Sequence, residues 1–308
     1  MIVIPAVHPA REVVARVPAI RLGEVHRTTT TLETIGGKAI NVARFAAIAG
    51  GSVRLIVLGD EAIRHALATD PILGHLPGDA SSVTIVPSTT PSRLDVAIVD
   101  DGGRPTVING TAAPPPAATV MEIEALTLAD LRPGDIVVLS GSLPPGTTGL
   151  LDRVVRRGRA HGATVIVDAS GAWLREALDA GPNVVKVNRA EAAAAGAPDP
   201  RPLAASGSPF DGPAIVAVTD GGNGLRAWVD GIEWSVTPPP DLEVVNTLAA
   251  GDAVTAGLAI ALARGASALD ALRLGVAMAS ARLRHVDFTL DPDDIGSLER
   301  AVRLRRLG

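Results

Sequence analysis

The chain of 308 residues contains no cysteine, which excludes disulfides, zinc–thiolate sites and thiol nucleophiles together. Aromatic residues number only six, three Phe and three Trp, so the core must be built from Ala, Val, Leu and Ile. So few rings also argue against stacking platforms for single-stranded nucleic acid. Basic residues are outnumbered, and a formal charge of -5 speaks against a nucleic-acid or anionic-membrane partner. No run approaches the roughly 20 uninterrupted apolar residues of a membrane helix; the alanine-rich stretch 253–264 is broken by Gly257 and ends at Arg264. The opening MIVIPAVHPAREVV meets charge too early for a secretory signal, and the expectation is a cytoplasmic protein without a membrane partner. No GxxxxGK[ST] occurs, so a P-loop nucleotide fold is not supported. The six histidines are scattered, without an i, i+4 pair or HExxH, and a metal-hydrolase reading fails. Ser140 and Ser142 lie between glycines but do not form GxSxG.

Apolar residues make up 47% of the chain, enough for a sizeable core. Short β-branched runs recur at Ile2–Ile4, Val53–Leu58, Val83–Val86, Ile136–Leu139, Thr164–Val167, Val184–Val187 and Ile215–Val218. Several are continuously apolar, as strands buried on both faces of a parallel sheet are. Segments of helical spacing lie between them at 39–49, 61–68, 148–160, 189–195 and 252–263. That alternation predicts a doubly wound α/β fold. Residues 11–35 and 93–109 break the rule: they alternate like half-exposed strands with no helix between. They are expected to pair into a small sheet outside the main one, placed to act as a lid, or else to extend the main sheet at its edge. Pro-rich stretches at 113–116, 198–213 and 238–240 read as loops.

Two glycine turns that enter helices carry the chemistry. Asn246-Thr247-Leu248-Ala249-Ala250-Gly251-Asp252 precedes a helix of small residues, where unpaired backbone N–H groups at the positive end of the dipole suit an anion. Asp252 is then either a helix-start residue or a base beside a transferring phosphoryl group. Gly36-Gly37-Lys38-Ala39-Ile40-Asn41-Val42-Ala43-Arg44 is the second turn, offering a point charge from Lys38 and a donor with an acceptor from Asn41.

Together these segments resemble the GGKGxNxA and NTxGAGD signatures of the ribokinase-like, phosphofructokinase B type carbohydrate kinases. The resemblance spans nearly the whole chain. Val185-Lys186-Val187-Asn188-Arg189-Ala190-Glu191 is similar to KPNxxE, and Val218-Thr219-Asp220-Gly221-Gly222-Asn223-Gly224 to VTLGxxG. Leu22-Gly23-Glu24-Val25-His26-Arg27, Ser140–Gly146, Val167–Gly171 and Ser92-Arg93-Leu94-Asp95-Val96 (similar to TRxNV) point to the 1-phosphofructokinase and tagatose-6-phosphate kinase group. The resemblance implies a single ribokinase-like domain over 1–308, with a doubly wound, mainly parallel sheet and a small β-sheet lid. It implies ATP-dependent phosphorylation of a sugar hydroxyl, on a sugar that already carries a phosphate. Asp252 would be the catalytic base, with Ala249, Ala250 and Gly251 forming the anion hole. Glu12, Arg27, Gly36, Gly37, Lys38, Asn41 and Arg93 would bind the sugar, Arg27, Lys38 and Arg93 its phosphate. Asn188, Glu191, Thr219, Gly221 and Gly224 would bind ATP, Glu191 also holding Mg²⁺ through water. A homodimer paired through the lid sheet is compatible with this reading.

The chain departs from the pattern at several points. Glu12 stands where the group's NPAxD has Asp, Ala39 where it has the last Gly of GGKG, and Ala249 where it has the first Gly of GAGD. Thr106-Val107-Ile108-Asn109 loses the carboxylate of TELN, and the glycine-rich segment after Leu58-Gly59-Asp60 is shortened. A left-handed turn would strain Ala249, so the turn is expected to keep φ negative. Two alternatives stand beside the main reading: a kinase for a free sugar or nucleoside, and a catalytically weak sugar-phosphate-binding regulatory protein.

Overall fold

The computed structural model describes residues 1–76, 81–103, 105–194 and 215–307; the expected loop at 198–213 lies outside them. Seven parallel strands form one continuous block of a ten-stranded sheet. They are β1 (Ile2–Ala6), β4 (Val53–Gly59), β5 (Ser82–Pro87), β8 (Ile136–Ser140), β9 (Thr164–Asp168), β10 (Val184–Asn188) and β11 (Ile215–Thr219). They correspond to the seven runs picked out by composition. Three antiparallel strands, β12 (Leu225–Val229), β13 (Ile232–Thr237) and β14 (Arg303–Arg306), extend one edge, giving the order β14-β13-β12-β11-β10-β9-β8-β1-β4-β5.

Side chains of successive strand residues enter different layers. Ile2, Ile4, Val53, Leu55 and Val57 pack with helices α1 (Lys38–Ile48), α7 (Ala250–Ala263) and α8 (Ala268–Arg282). Val3, Val7, Ile56 and Leu58 pack on the other face with α3 (Ala117–Leu128), α4 (Leu150–Ala160) and α5 (Gly171–Ala180). The period of two in a strand thus feeds two cores, and each fully buried aliphatic side chain contributes roughly 1.5–3 kcal/mol. The continuous apolar runs were the sequence trace of this double burial.

Helix α7 is buried almost all round, which its small residues permit. A β-carbon at Gly257 would lie 2.6 Å from Gly275 Cα, so α7 and α8 cross backbone to backbone. This close crossing fixes the start of α7, and with it Asp252, against the sheet.

The remaining strands make a separate four-stranded sheet in the order β3-β2-β6-β7: β3 (Thr30–Gly36), β2 (Ala10–Arg16), β6 (Arg93–Val99) and β7 (Pro105–Ile108). It uses the two segments expected to leave the main sheet; the edge-extension alternative is thereby excluded. Only its central pair, β2 with β6, is parallel.

Candidate active site

In the main sheet the chain leaves β1 toward β4 on one side and returns through β8 on the other. This reversal opens a crevice at the carboxyl ends of the strands. A cavity of about 1050 Å³ fills it, roofed by the small sheet and floored by the starts of α1 and α7. Of the sequence-predicted site residues, Glu12, Gly37, Lys38, Asn41, Arg93, Asn188, Glu191, Thr219, Gly221, Gly224, Ala249, Ala250, Gly251 and Asp252 line it. Gly36 lies just behind: a β-carbon there would overlap the Glu12 carboxylate, so this glycine makes room for that side chain. Arg27 is not brought in. It sits exposed in the segment joining β2 to β3 and is absent from the cavity wall.

Ala249 corrects an expectation. Its backbone is left-handed, with φ 58 and ψ 11, not at negative φ. The neighbouring contacts over-determine the turn. Asn246, 1% exposed, donates from Nδ2 to Val286 O at 2.8 Å and accepts the Leu248 N–H at 3.0 Å. With Asn246 and Leu248 tied on one side and α7 beginning on the other, Ala249 takes the conformation a glycine would take, and Ala250, Gly251 and Asp252 of the first turn line the cavity. Gly251 is needed for another reason: its β-carbon would fall 2.8 Å from Lys186 Nζ.

Asp252 is buried in the first turn of α7, and its Oδ2 accepts the Asn41 Nδ2–H at 2.9 Å. Asn41 is itself fixed by Arg44, which donates to its Oδ1 at 2.9 Å. Arg44 in turn is anchored to Asp70 at 2.7 Å and to Ile35 O at 2.8 Å. Burial, followed by the nearby Asp168 carboxylate, pushes the Asp252 pKa up to about 6, against the pull of Lys38 and Lys186. The group is therefore ionised at neutral pH yet basic enough to take a proton.

Behind it lies a network that sequence reasoning did not assign. Asp168, at the end of β9 and fully buried, accepts from Lys38 Nζ (3.2 Å), Lys186 Nζ (2.9 Å) and Thr255 Oγ1 (2.8 Å). Burial alone would raise its pKa, but Lys186 and Lys38 outweigh burial and hold it below the usual carboxylate value. Lys38 also reaches Glu191 at 2.8 Å. Burial opposes the Lys38 charge, while Asp168, Glu191 and Asp252 overcome that effect and raise its pKa. A signal existed in the sequence: Lys186 interrupts an apolar strand buried on both faces, and an ammonium there requires an anion on the neighbouring strand.

Asn188 and Glu191 cap each other at the start of α6 (Arg189–Ala194). Glu191 N donates to Asn188 Oδ1 at 2.8 Å, and Asn188 N to Glu191 Oε2 at 2.9 Å. Thr219 donates to Val187 O at 3.4 Å and faces the same groove as Gly221 and Gly222, where an added β-carbon would meet nothing within 4 Å. Leu225, Pro238, Val254, Val276, Ala279 and Leu283 form the apolar wall of this end. At the other end Glu12 is 9% exposed, and burial together with Asp95 pushes its pKa up to about 7. His8 approaches Ser142 Oγ at 3.2 Å, and burial and then Arg93 lower its pKa to about 4. Among the described residues no cluster of three or more His, Cys, Asp or Glu could hold a metal ion by itself, and no helix is long and apolar enough to cross a membrane.

One cavity thus holds a polar, charged end under the small sheet and an apolar, glycine-edged end by β11. Asp252 and the helix N-terminus lie between them. Known proteins resemble this chain in sequence and in fold. A 1-phosphofructokinase of Haloferax volcanii is 34% identical over 283 residues, covering 89% of this chain and 87% of that protein. One from Rhodobacter capsulatus is 33% identical over 316 residues, covering 94% and 93%. Phosphofructokinase-2 from Escherichia coli, solved in complex with substrates and products, superimposes with a TM-score of 0.82 at 26% identity, covering 97% of this chain and 98% of that one. The profile of the pfkB family carbohydrate kinases matches residues 5–293, and the chain belongs to that family of ATP-dependent sugar kinases.

Proposed function

We propose that the protein transfers the γ-phosphoryl group of ATP to a hydroxyl of a phosphorylated ketose, with Asp252 as the base. The observation that carries the reading is the buried Asp252 carboxylate, poised between the two ends of one cavity and oriented by Asn41 at 2.9 Å. The acceptor lies under the small sheet, which acts as its lid. Its hydroxyl gives a proton to the Asp252 oxygen not held by Asn41, and the hydroxyl oxygen attacks the γ-phosphorus in line. The bond from that phosphorus to the β–γ bridging oxygen breaks, leaving ADP and a phosphate ester. The N–H groups of Ala250, Gly251 and Asp252 offset charge on the transferring oxygens, in the manner of an oxyanion hole.

Lys38 and Arg93 face the acceptor's own phosphate, and Glu12 a sugar hydroxyl. Asn188 and Thr219 place the nucleotide phosphates and ribose, and the apolar wall at Val254, Val276, Ala279 and Leu283 receives the adenine. The oxygen donors at this end, Glu191 above all, suit a hard cation held mainly by phosphate oxygens and water. Mg²⁺ bound there would neutralise charge on the β- and γ-phosphates. Leu22 and Val25, 98% and 88% exposed beside Arg27, favour a second copy covering the edge of the small sheet; a homodimer would then bring Arg27 into play.

The test is ATP consumption with fructose 1-phosphate, tagatose 6-phosphate, free ketoses and nucleosides. Turnover with a phosphorylated ketose is expected. Turnover with free sugars or nucleosides alone would refute the acceptor, and binding without turnover would refute the reaction.

A further inference from the structure

The acceptor end of the cavity holds more carboxyl groups than a phosphate-binding site calls for. Glu12 and Asp95 are register partners on the parallel pair β2 and β6, so their side chains rise side by side from the same face. Both line the cavity, and both are nearly inaccessible to solvent. Arg93, two residues before Asp95 on the same strand, is the arginine of the cavity wall among the described residues, while Arg44 and Arg282 act on Glu12 from outside that wall. Arg93 Nη1 lies 3.0 Å from Asp95 Oδ1 and 2.8 Å from Oδ2, with the two side chains 10% and 7% exposed. Its Nη2 makes a long contact of 3.4 Å to His8 O, and its buried Nε has no hydrogen-bond partner. Asp95 cannot easily turn away, because Gly110 N donates to its Oδ1 at 2.9 Å. Lys38, the other cation at this end, is already engaged by Asp168 and Glu191.

In the TRxNV motif that this segment resembles, Asn occupies the place of Asp95. An amide oxygen could accept the Gly110 N–H equally well and leave the Arg93 charge whole. The carboxylate instead neutralises that charge in a site with little solvent to screen it. We propose that Asp95 is a specificity-determining residue, an internal anion that engages Arg93 and with which the phosphate of the acceptor must compete. This rests on the phosphorylated-acceptor reading. The consequence is weakened preference for phosphorylated over free sugars, set by a repulsive element within the site and not by a missing cation.

The test is calorimetric binding of fructose 1-phosphate, fructose and inorganic phosphate to the natural protein, Asp95→Asn, Arg93→Ala and the double variant. Asp95→Asn should tighten fructose 1-phosphate by about tenfold or more, the scale of one charge-assisted contact, while fructose binding stays within about twofold. The gain should vanish in the Arg93→Ala/Asp95→Asn double variant. Asp95→Ser serves as the second charge-removing variant should the Asn protein fail to fold. Unchanged or weaker phosphate-sugar binding in a folded Asp95 variant overturns the proposal, and so does a gain that persists without Arg93. If fructose 1-phosphate binds to none of the proteins, the acceptor reading is what fails. Inorganic phosphate then decides: Arg93-dependent tightening in Asp95→Asn upholds the proposal, and its absence overturns it.

Discussion

Ala249→Gly should leave both stability and turnover near those of the natural protein, because opposing effects nearly cancel at this turn. Ala249 is held at φ 58 and ψ 11, and a β-carbon in the left-handed region costs roughly 1–2 kcal/mol. Glycine relieves that strain. It also gives the unfolded chain more freedom, which removes roughly 0.4–1 kcal/mol of stability. The Ala249 methyl is half-buried, packed against the two apolar clusters that meet below the small sheet. Losing about half of a methylene's burial removes a further ~0.4 kcal/mol. The sum is a stabilisation of roughly half a kcal/mol, within about 1 kcal/mol of zero. Urea unfolding followed by tryptophan fluorescence reads this directly. The backbone already has the conformation glycine would adopt, so the amides at Ala250–Asp252 do not move. kcat should therefore change by less than about tenfold, or roughly 1.4 kcal/mol of barrier. A stabilisation above about 2 kcal/mol would show that strain at the turn exceeds ordinary left-handed strain. A much larger gain in kcat would show that the methyl obstructs the anion hole, and the sugar-phosphate-binding alternative would then replace the kinase reading.

Three further outcomes are expected. Asp252→Asn should lower kcat by at least about 10²–10⁴ while nucleotide binding survives, and kcat of the natural protein should fall as pH drops through about 6, where Asp252 gains its proton; retained turnover in the variant would remove Asp252 as the base. Glu12 has its pKa raised from 4.5 to about 7, so the folded state holds more protons than the unfolded one in that window, and its contribution to stability falls as pH rises through it. Glu12→Gln should abolish this component, making the variant relatively more stable at pH 8 than at pH 4.5 by up to roughly 3 kcal/mol; parallel stability–pH curves would refute the shift. Asp168→Asn leaves Lys186, 3% exposed, without its anion, and should cost about 3–5 kcal/mol in denaturant unfolding; a loss below about 1 kcal/mol would show that the network is not needed for folding.

Much of this protein was legible in its order of residues. Runs such as Val53–Leu58 gave away strands buried on both faces, because a period-two pattern disappears when both sides are apolar. The two glycine turns announced helix starts, since only small residues let an anion approach free backbone amides. The tertiary structure decided what depends on neighbours distant in the chain. It bent Ala249 into a left-handed turn, because Asn246 is tied to Val286 and dictates the local path. Lys38 became a partner of Asp168 and Glu191, pairings that span 130 and 153 residues and follow from no local rule. The segment carrying Arg27 remained outside the cavity, a matter of where a loop leaves the small sheet and not of its composition. Local sequence sets which groups a turn or strand can offer. Which charges face one another, and hence which are free for a substrate, is settled only when sheet register and helix crossing bring them within a few ångströms.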